Sequence, residues 1–186
     1  VSVISGVYVM LFKGRRFYFG DCTVNANPDA ETLAQIAQNT AAVARQFGDT
    51  PRVAMLSYSD FGESRGFPEV DKVAKAVSIL QECDPELEVD GEMQADTAVN
   101  PTRAENDFPF STIAGRANVL IFPDLGSGNI AYKLLRELGG ATAVGPVLIG
   151  LSHPVNALAL GSTVDDIVNM AAITVNQVIA RGRGTK

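Results

Sequence analysis

Four short segments of the chain concentrate side chains able to do chemistry. The first is Asp124-Leu125-Gly126-Ser127-Gly128-Asn129, between an apolar run and an amphipathic one. Two glycines let backbone approach a ligand closely, and a helix start offers unpaired N–H groups that favour an anion such as phosphate. Lys133, one turn further on, adds a point charge within reach of such an anion, or else is a solvated surface lysine. Gly126, Gly128 and Ala131 also fit the spacing of a dinucleotide fingerprint. That fingerprint calls for an acid about 20 positions on, at the end of the next strand. The run Pro146 to Leu151 carries none, so a nicotinamide site is not expected here. Two readings stay open: a capped helix start, or a loop that holds phosphate or an acyl phosphate.

The second segment, Ser57-Tyr58-Ser59-Asp60-Phe61-Gly62, places two hydroxyls at a strand end. Ser57 and Ser59 either hydrogen-bond a ligand or cap a turn through their own backbone. No histidine is near enough in sequence to make either a nucleophile. The third, Asp90-Gly91-Glu92-Met93-Gln94-Ala95-Asp96, holds three carboxylates, but their spacing matches no calcium loop and helix capping accounts for much of it; no metal site is expected. The fourth runs from His153 through Asn156 to Asp166. Thr163-x-x-Asp166 has the form of a capping box ahead of an apolar helix. Asp166 is therefore either a first-turn carboxylate that satisfies the helix end or a general base. The lone His153 titrates in the right range for a base, but a surface role suits it as well.

The elements that must position these groups are legible from hydrophobic periodicity. Gly6 to Phe12 and Arg16 to Phe19 flank Lys13-Gly14-Arg15 as a hairpin. Asn27 and Pro28 read as cap and first residue of a helix carrying Leu33, Ile36, Ala37, Val43 and Ala44, stopped at Gly48. Buried strands are expected at Arg52 to Tyr58, Leu87 to Val89, Asn118 to Phe122 and Pro146 to Leu151. Helices are expected at Val70 to Leu80, Ile130 to Leu138 and Thr163 to Ala180, with Asn100 to Gly115 as the longest loop. Strands that are continuous apolar runs and alternate with helices imply a three-layer α/β/α arrangement around a mostly parallel sheet. In such sheets ligands sit beyond the carboxyl ends of the strands. The places to look are thus the segments after Tyr58, Val89, Phe122 and Leu151.

Composition narrows the class. The chain has 186 residues, 46% of them hydrophobic, with 15 lysines and arginines against 21 acids, a net charge of −6. That is enough for one domain with a real core and excludes disorder. An acidic chain without a basic run is not expected to bind nucleic acid; its one basic cluster, the tail from Arg181 to Lys186, reads as a solvated end. Cys22 and Cys83 are expected as two buried thiols in a reduced cytoplasm, without a disulfide framework. The long uncharged stretch from Leu138 to Val164 is broken by Gly145-Pro146, Gly150 and Pro154, so no membrane span is expected.

Several segments together resemble the phosphate acetyl/butyryl transferase family: DCTVNANPDAETLAQIA from Asp21, PRVAMLSYS from Pro51, VDGEMQADTAVNP from Val89, ANVLIFPDLGSGNIAYKLL from Ala117 and GSTVDDIVNMAAIT from Gly161. Within that family, Ile4 to Tyr8 and Gly91 to Thr97 resemble the phosphotransacetylase-like C-terminal domain of bacterial NADP-dependent malic enzymes. The resemblance implies an isocitrate/isopropylmalate dehydrogenase-like fold, of which residues 1–186 are the second lobe. It also implies an acyl-CoA or acyl phosphate ligand and a homodimer or larger homo-oligomer. In the family, an aspartate takes the proton of the CoA thiol, the sulfur attacks an acetyl phosphate, and a serine and an arginine polarise the developing charge. Asp166 matches the aspartate. The run Asn156-Ala157-Leu158-Ala159-Leu160-Gly161 stands where the family has Asn-Asp-Leu-Ser-Arg-Gly, so Ala159 and Leu160 replace the serine and the arginine. The resemblance therefore implies a domain without transferase activity that binds acetyl-CoA as a regulatory ligand of a malic enzyme. The NADP and divalent metal would belong to a catalytic domain outside this sequence, and Ser57, Ser59, Gly126, Ser127, Gly128, Asn129, Lys133 and Asn156 would hold the ligand. The alternative is an active phosphate acetyltransferase.

Overall fold

The computed structural model describes residues 3–183; the side chains from residue 181 on, and with them the basic tail, lie outside the described residues. Strands β1 (Ser5–Phe12) and β2 (Arg15–Gly20) form the expected hairpin, and Lys13 and Gly14 turn it with positive φ. Helix α1 (Ala30–Gln46) follows, then β3 (Arg52–Leu56), α2 (Pro68–Cys83) and β4 (Glu88–Met93). Two short helices, α3 (Ala95–Val99) and α4 (Pro101–Asp107), lead to β5 (Val119–Ile121), α5 (Leu125–Glu137), β6 (Thr142–Ile149) and α6 (Val164–Arg183).

The six strands make one mixed, mostly parallel sheet in the order β4-β3-β5-β2-β1-β6. Strands β4, β3, β5 and β2 run parallel, and β1 is antiparallel to both β2 and β6. The hairpin therefore does not sit at an edge. Its second strand joins the parallel set through Tyr18 to Gly20 beside Val119 to Ile121.

Alternation along the strands sorts the core into two faces. Val7, Val9, Tyr18, Val53, Met55, Val119 and Ile121 point to one side, under α1 and α2. Met10, Phe17, Phe19, Ala54, Leu56, Leu120 and Phe122 point to the other, under α3, the 113–117 segment and α5. Helix α1 is well specified: Leu33, Ile36, Ala37, Val43 and Ala44 are fully buried at helical spacing.

The expected strand Pro146–Leu151 instead begins at Thr142 and ends at Ile149, because Thr142 and Ala143 already pair with Leu11 and Met10 of β1. Three other boundaries differ from expectation for local reasons. The cap of α1 is Asp29, not Asn27, because the Asp29 carboxylate accepts from Thr32 N at 2.9 Å while Asn27 is taken up by Lys72. The expected loop after Asn100 begins as a helix, since Asn100 Oδ1 caps Thr102 and Arg103 and Pro101 presets the first turn. Helix α5 starts five residues before Ile130, because Asp124 caps Ser127 N at 2.8 Å. Both cysteines are free thiols, but only Cys22 is buried; Cys83 is exposed at the end of α2, where it accepts from Gln38. No described helix is long and apolar enough to cross a membrane.

Candidate functional site

The carboxyl ends of the parallel strands form a layer of loops joined by polar contacts. The β2 end is organised by Asp21, a buried carboxylate. Its Oδ1 accepts from the backbone of Gly6 (3.1 Å), Thr23 (2.8 Å) and Val24 (3.2 Å). Its Oδ2 accepts from Asn25 N at 2.9 Å and Asn25 Nδ2 at 2.6 Å. Five donors around one charge fix the path of the loop that follows, since an unpaired carboxylate at this depth is costly. Next to it, burial pushes the Cys22 thiol up, so it stays protonated.

This loop is fastened to the β5 end. Asn129 Nδ2 donates to Cys22 O (3.3 Å) and Leu125 N to Ala26 O (3.2 Å). Gly128 is needed there: a Cβ would sit 3.0 Å from both Asp21 O and Cys22 Sγ. Lys72 reaches over from α2 and donates to Asn27 Oδ1 (3.0 Å) and Pro123 O (2.9 Å), tying both loops to the helix.

Gly126, Ser127, Gly128 and Asn129 therefore lie in the first turn of α5 and not in a loop before it. The Ser127 amide is held by the Asp124 carboxylate and its hydroxyl donates to Asp124 O at 2.9 Å. A carboxylate already occupies this helix start and opposes a second anion on the helix axis. Lys133 points outward from the middle of α5 and is exposed.

At the β3 end, Ser57 is half-buried and its oxygen accepts from Ser59 N at 3.3 Å. Ser59 is fully buried; its hydroxyl donates to Glu92 Oε1 (3.1 Å) and accepts from Ser64 N (3.1 Å). Glu92 also accepts from Gly62 N at 2.6 Å. Buried Asp60 accepts from the Gln94 amide and side chain and pairs with Arg103 at 3.2 Å, and Arg103 also reaches Asp96. The three carboxylates that invited a metal thus go separate ways: Asp90 accepts from Ser111, Glu92 holds the 59–62 turn, and Asp96 meets Arg103. Among the described residues no group of His, Cys, Asp and Glu is placed to hold a metal ion.

The last two candidates sit elsewhere. Asn156 fastens α6 to the sheet: its Oδ1 accepts from Leu148 N, and its Nδ2 donates to Thr174 Oγ1 and Gln177 Oε1, each at 2.8 Å. Asp166 completes the expected capping box, accepting from Thr163 N and Thr163 Oγ1 at 2.9 Å while its own N–H donates back. These bonds, the backbone one first, hold its carboxyl below the usual carboxylate range. Helix α6 runs along β6 in the strand's own direction. Gln177 meets Leu148 near the carboxyl end, whereas Asn169 and Ile173 line a cavity with Leu11, Arg16 and Val144 near the opposite end. Asp166 precedes Asn169 and so lies at the amino ends of the parallel strands, away from the loop layer. Ala159 and Leu160 are exposed on the connection to it, and His153 is exposed beside Ser152.

Residues 1–175 match the family model described as phosphate acetyl/butaryl transferase. The chain belongs to that family. It is 51% identical over 97% of its length to a phosphate acetyltransferase of Corynebacterium glutamicum, covering 54% of that protein. It is 46% identical over 96% of its length to a phosphate acetyltransferase of Bacillus subtilis, covering 55% of that protein. The crystal structure of a phosphotransacetylase from Streptococcus pyogenes superposes with a TM-score of 0.92 at 45% identity, over 97% of this chain and 55% of that one. The chain thus spans about half the length of these relatives. Their names overturn the expected kinship to a malic enzyme: the regulatory, oxidoreductase and NADP expectations fall with it, because the shared segments are those of phosphate acetyltransferases.

Sequence reasoning missed Asp21 and Lys72 as parts of this layer, and read Asn27 as a helix cap where it instead accepts from Lys72. The strand-end rule passed over β2 because hairpin strands are ordinarily antiparallel and peripheral. The signal was present in the run Gly20-Asp21-Cys22-Thr23-Val24-Asn25, where an apolar strand enters an acid and an asparagine.

Proposed function

We propose that the chain is part of a phosphate acetyltransferase, which moves an acetyl group between phosphate and the thiol of CoA. The observation that carries this reading is the 51% identity over 97% of the chain to an enzyme of that name. CoA then enters as a substrate and not as an effector. In the thiolysis direction a carboxylate takes the S–H proton, the sulfur forms a bond to the acetyl carbon, and the C–O bond to phosphate breaks with its electron pair leaving on phosphate. Asp166 suits proton acceptance because it is ionised at neutral pH and half-exposed. The strand-end layer offers the Ser57 hydroxyl and the Lys72 ammonium, which also donates to Asn27 and Pro123, as groups able to hold a ligand.

The two groups lie at opposite ends of the sheet, so they serve different parts of the substrates or only one belongs to the reacting centre. Asp166→Asn and Ser57→Ala in the full-length enzyme separate these cases. With acetyl phosphate and CoA as substrates and acetyl-CoA as the product followed, Asp166→Asn is expected to lower kcat about a hundredfold or more with KM little changed. Ser57→Ala is expected to raise KM. Unchanged kcat in Asp166→Asn removes that residue from the reaction. No acetyl-CoA formation by the full-length protein refutes the function itself. Because Ala159 and Leu160 lack polar groups, Ala159→Ser with Leu160→Arg is expected to raise kcat by about tenfold or more if those positions face the reacting carbonyl.

We further infer that the chain is the carboxyl-terminal lobe of a longer, dehydrogenase-like two-lobed domain, that the protein is cytoplasmic, and that it assembles as a homo-oligomer. The oligomer is supported by apolar side chains left exposed on α5 (Ile130, Leu134), at its C-cap Leu138, and on α6 (Ile167, Val168, Val175). Sedimentation of the full-length protein tests it, and a monomer at micromolar concentration refutes it.

A further inference from the structure

At the amino ends of the parallel strands, away from the strand-end loops, the chain collects positive charge. Strands β3, β5 and β2 are neighbours in the sheet, and two of them open on arginine: β3 on Arg52, and β2 on Arg15 and Arg16. With β5 between them these starts lie roughly 10 Å apart, a span across which two arginine side chains can converge. They meet on a hollow of about 330 Å3, lined by Gly14, Arg15, Arg16, Asp49, Arg52 and Asn118. Three guanidinium groups and one carboxylate share it, in a chain whose net charge is −6.

The one carboxylate is already spent. Asp49 Oδ1 accepts from Arg16 Nη2 at 2.7 Å, and its Oδ2 accepts from Arg16 Nε at 2.9 Å and from the Tyr18 hydroxyl. These bonds, those from Arg16 foremost, hold the Asp49 carboxyl below the usual carboxylate range. The other two guanidiniums have no such partner. Arg52 Nε donates to Arg116 O at 2.7 Å, and among the described residues its two terminal nitrogens meet no acceptor. The Arg15 guanidinium lies over the Phe17 ring, 4.7 Å from its centre, and among the described residues it pairs with no carboxylate. A guanidinium held over a ring keeps its N–H edge free for an acceptor. The floor is fixed: Asn118 Oδ1 accepts from Arg52 N at 2.7 Å, and Asn118 Nδ2 donates to Thr50 O at 2.9 Å. The rim at Gly14 is open, with nothing within 4 Å of where a Cβ would stand.

We infer that this hollow binds a phosphoryl anion of diphosphate size, free or carried by a nucleotide, with Arg15 and Arg52 gripping its oxygens and Arg16 adding charge beside them. The surplus of positive charge selects an anion. Two open guanidinium forks offer more donors than the two oxygens of one carboxylate can take, whereas a diphosphate presents oxygens to both. The hollow, at about 330 Å3, has room for more than one phosphate group. None of the residues assigned to acyl transfer lines it, and the site stands without that reaction.

Diphosphate, ADP, inorganic phosphate and malonate serve as probes of the full-length protein, with binding followed by titration calorimetry at low salt. A diphosphate site filled once per chain is expected, weakened about tenfold in Arg15→Gln and in Arg52→Gln, the ratio that loss of one charge-assisted contact produces. Arg15 is exposed, so its replacement spares the core. Arg52→Lys, which keeps the charge but not the fork, is expected to fall between the wild type and Arg52→Gln. Phosphate and malonate are expected to bind at least about tenfold more weakly than diphosphate. ADP equal to diphosphate identifies the free anion as the ligand, and ADP tighter by about tenfold or more identifies a nucleotide-borne one. In both glutamine variants kcat and the KM for acetyl phosphate are expected to stay within about twofold of the wild type. Equal affinity for malonate and diphosphate, or unaltered binding in both glutamine variants, overturns the assignment. So does a KM for acetyl phosphate that rises in step with the loss of diphosphate affinity, because the arginines would then belong to the reacting centre.

Discussion

The strand-end layer and the C-terminal limb, from β6 through α6, are held together in opposite ways. In the layer, buried groups are each answered several times over: Asp21 by five donors, Asp60 by Gln94 and Arg103, and Glu92 by Ser59 and Gly62. In the limb, a single asparagine, Asn156, and its partners Thr174 and Gln177 make the polar join, and much of the apolar surface of α6 is open to solvent. The difference teaches that the segment shared with the relatives contains one region whose buried polar groups are all answered within it and one whose apolar face is left open. The two residues expected to serve one reaction fall on different sides of this divide: Ser57 in the first region and Asp166 in the second.

The contrast can be broken at its strongest point. Asp21→Ala leaves several buried N–H groups without an acceptor and is expected to destabilise the chain by about 3–5 kcal/mol, read as a fall in the urea midpoint. A loss below about 1 kcal/mol would mean that the layer is not organised by this carboxylate. Gly128→Val drives a branched side chain against Asp21 O and Cys22 Sγ, and overpacking of this kind costs about 1–3 kcal/mol. It is expected to loosen the junction between the β2 and β5 loops without touching α6, which amide exchange would localise.

In the limb the expected effects are smaller. Asn156→Ala removes three half-buried bonds and is expected to cost about 1–2 kcal/mol, with faster exchange confined to α6 and the end of β6. A global loss as large as that of Asp21→Ala would show that the limb is integral to the core. The smallest effect is a pH dependence. The Asp166 carboxyl is depressed by the backbone N–H and hydroxyl of Thr163, so its contribution to the start of α6 is complete above the unfolded aspartate value of about 3.9. It fades as pH falls through the lower folded value. Amide shifts of Thr163 and Asp166 followed from pH 6 to pH 2 should show this transition, and Thr163→Ala should move it upward.

Much of the site was legible from local signals. The Thr163–Asp166 box forms as its spacing dictates, since a capping pair interacts across three residues whatever surrounds it. Ser57 and the Gly126–Asn129 turn lie at strand ends, where an alternating α/β pattern puts them. What could not be read was how Ser59, Glu92 and Asp60 are consumed. Those contacts join residues more than thirty positions apart, and only strand order brings them together. Local signals also misled where two caps competed: Asn27 reads as well as Asp29, and Lys72, 45 residues away, decides between them.

By itself the sequence determined most of the elements, their alternation, the Thr163–Asp166 capping box and the family, because each depends on neighbours in the chain or on segments read in order. The tertiary structure alone decided that β2 lies within the parallel set, that Asp21 and Lys72 join the strand-end layer, and that Asp166 stands at the other end of the sheet. These outcomes follow from strand order and from the way the helices lie on the sheet. Both are settled by packing whole faces against one another, a balance that no short stretch of residues encodes.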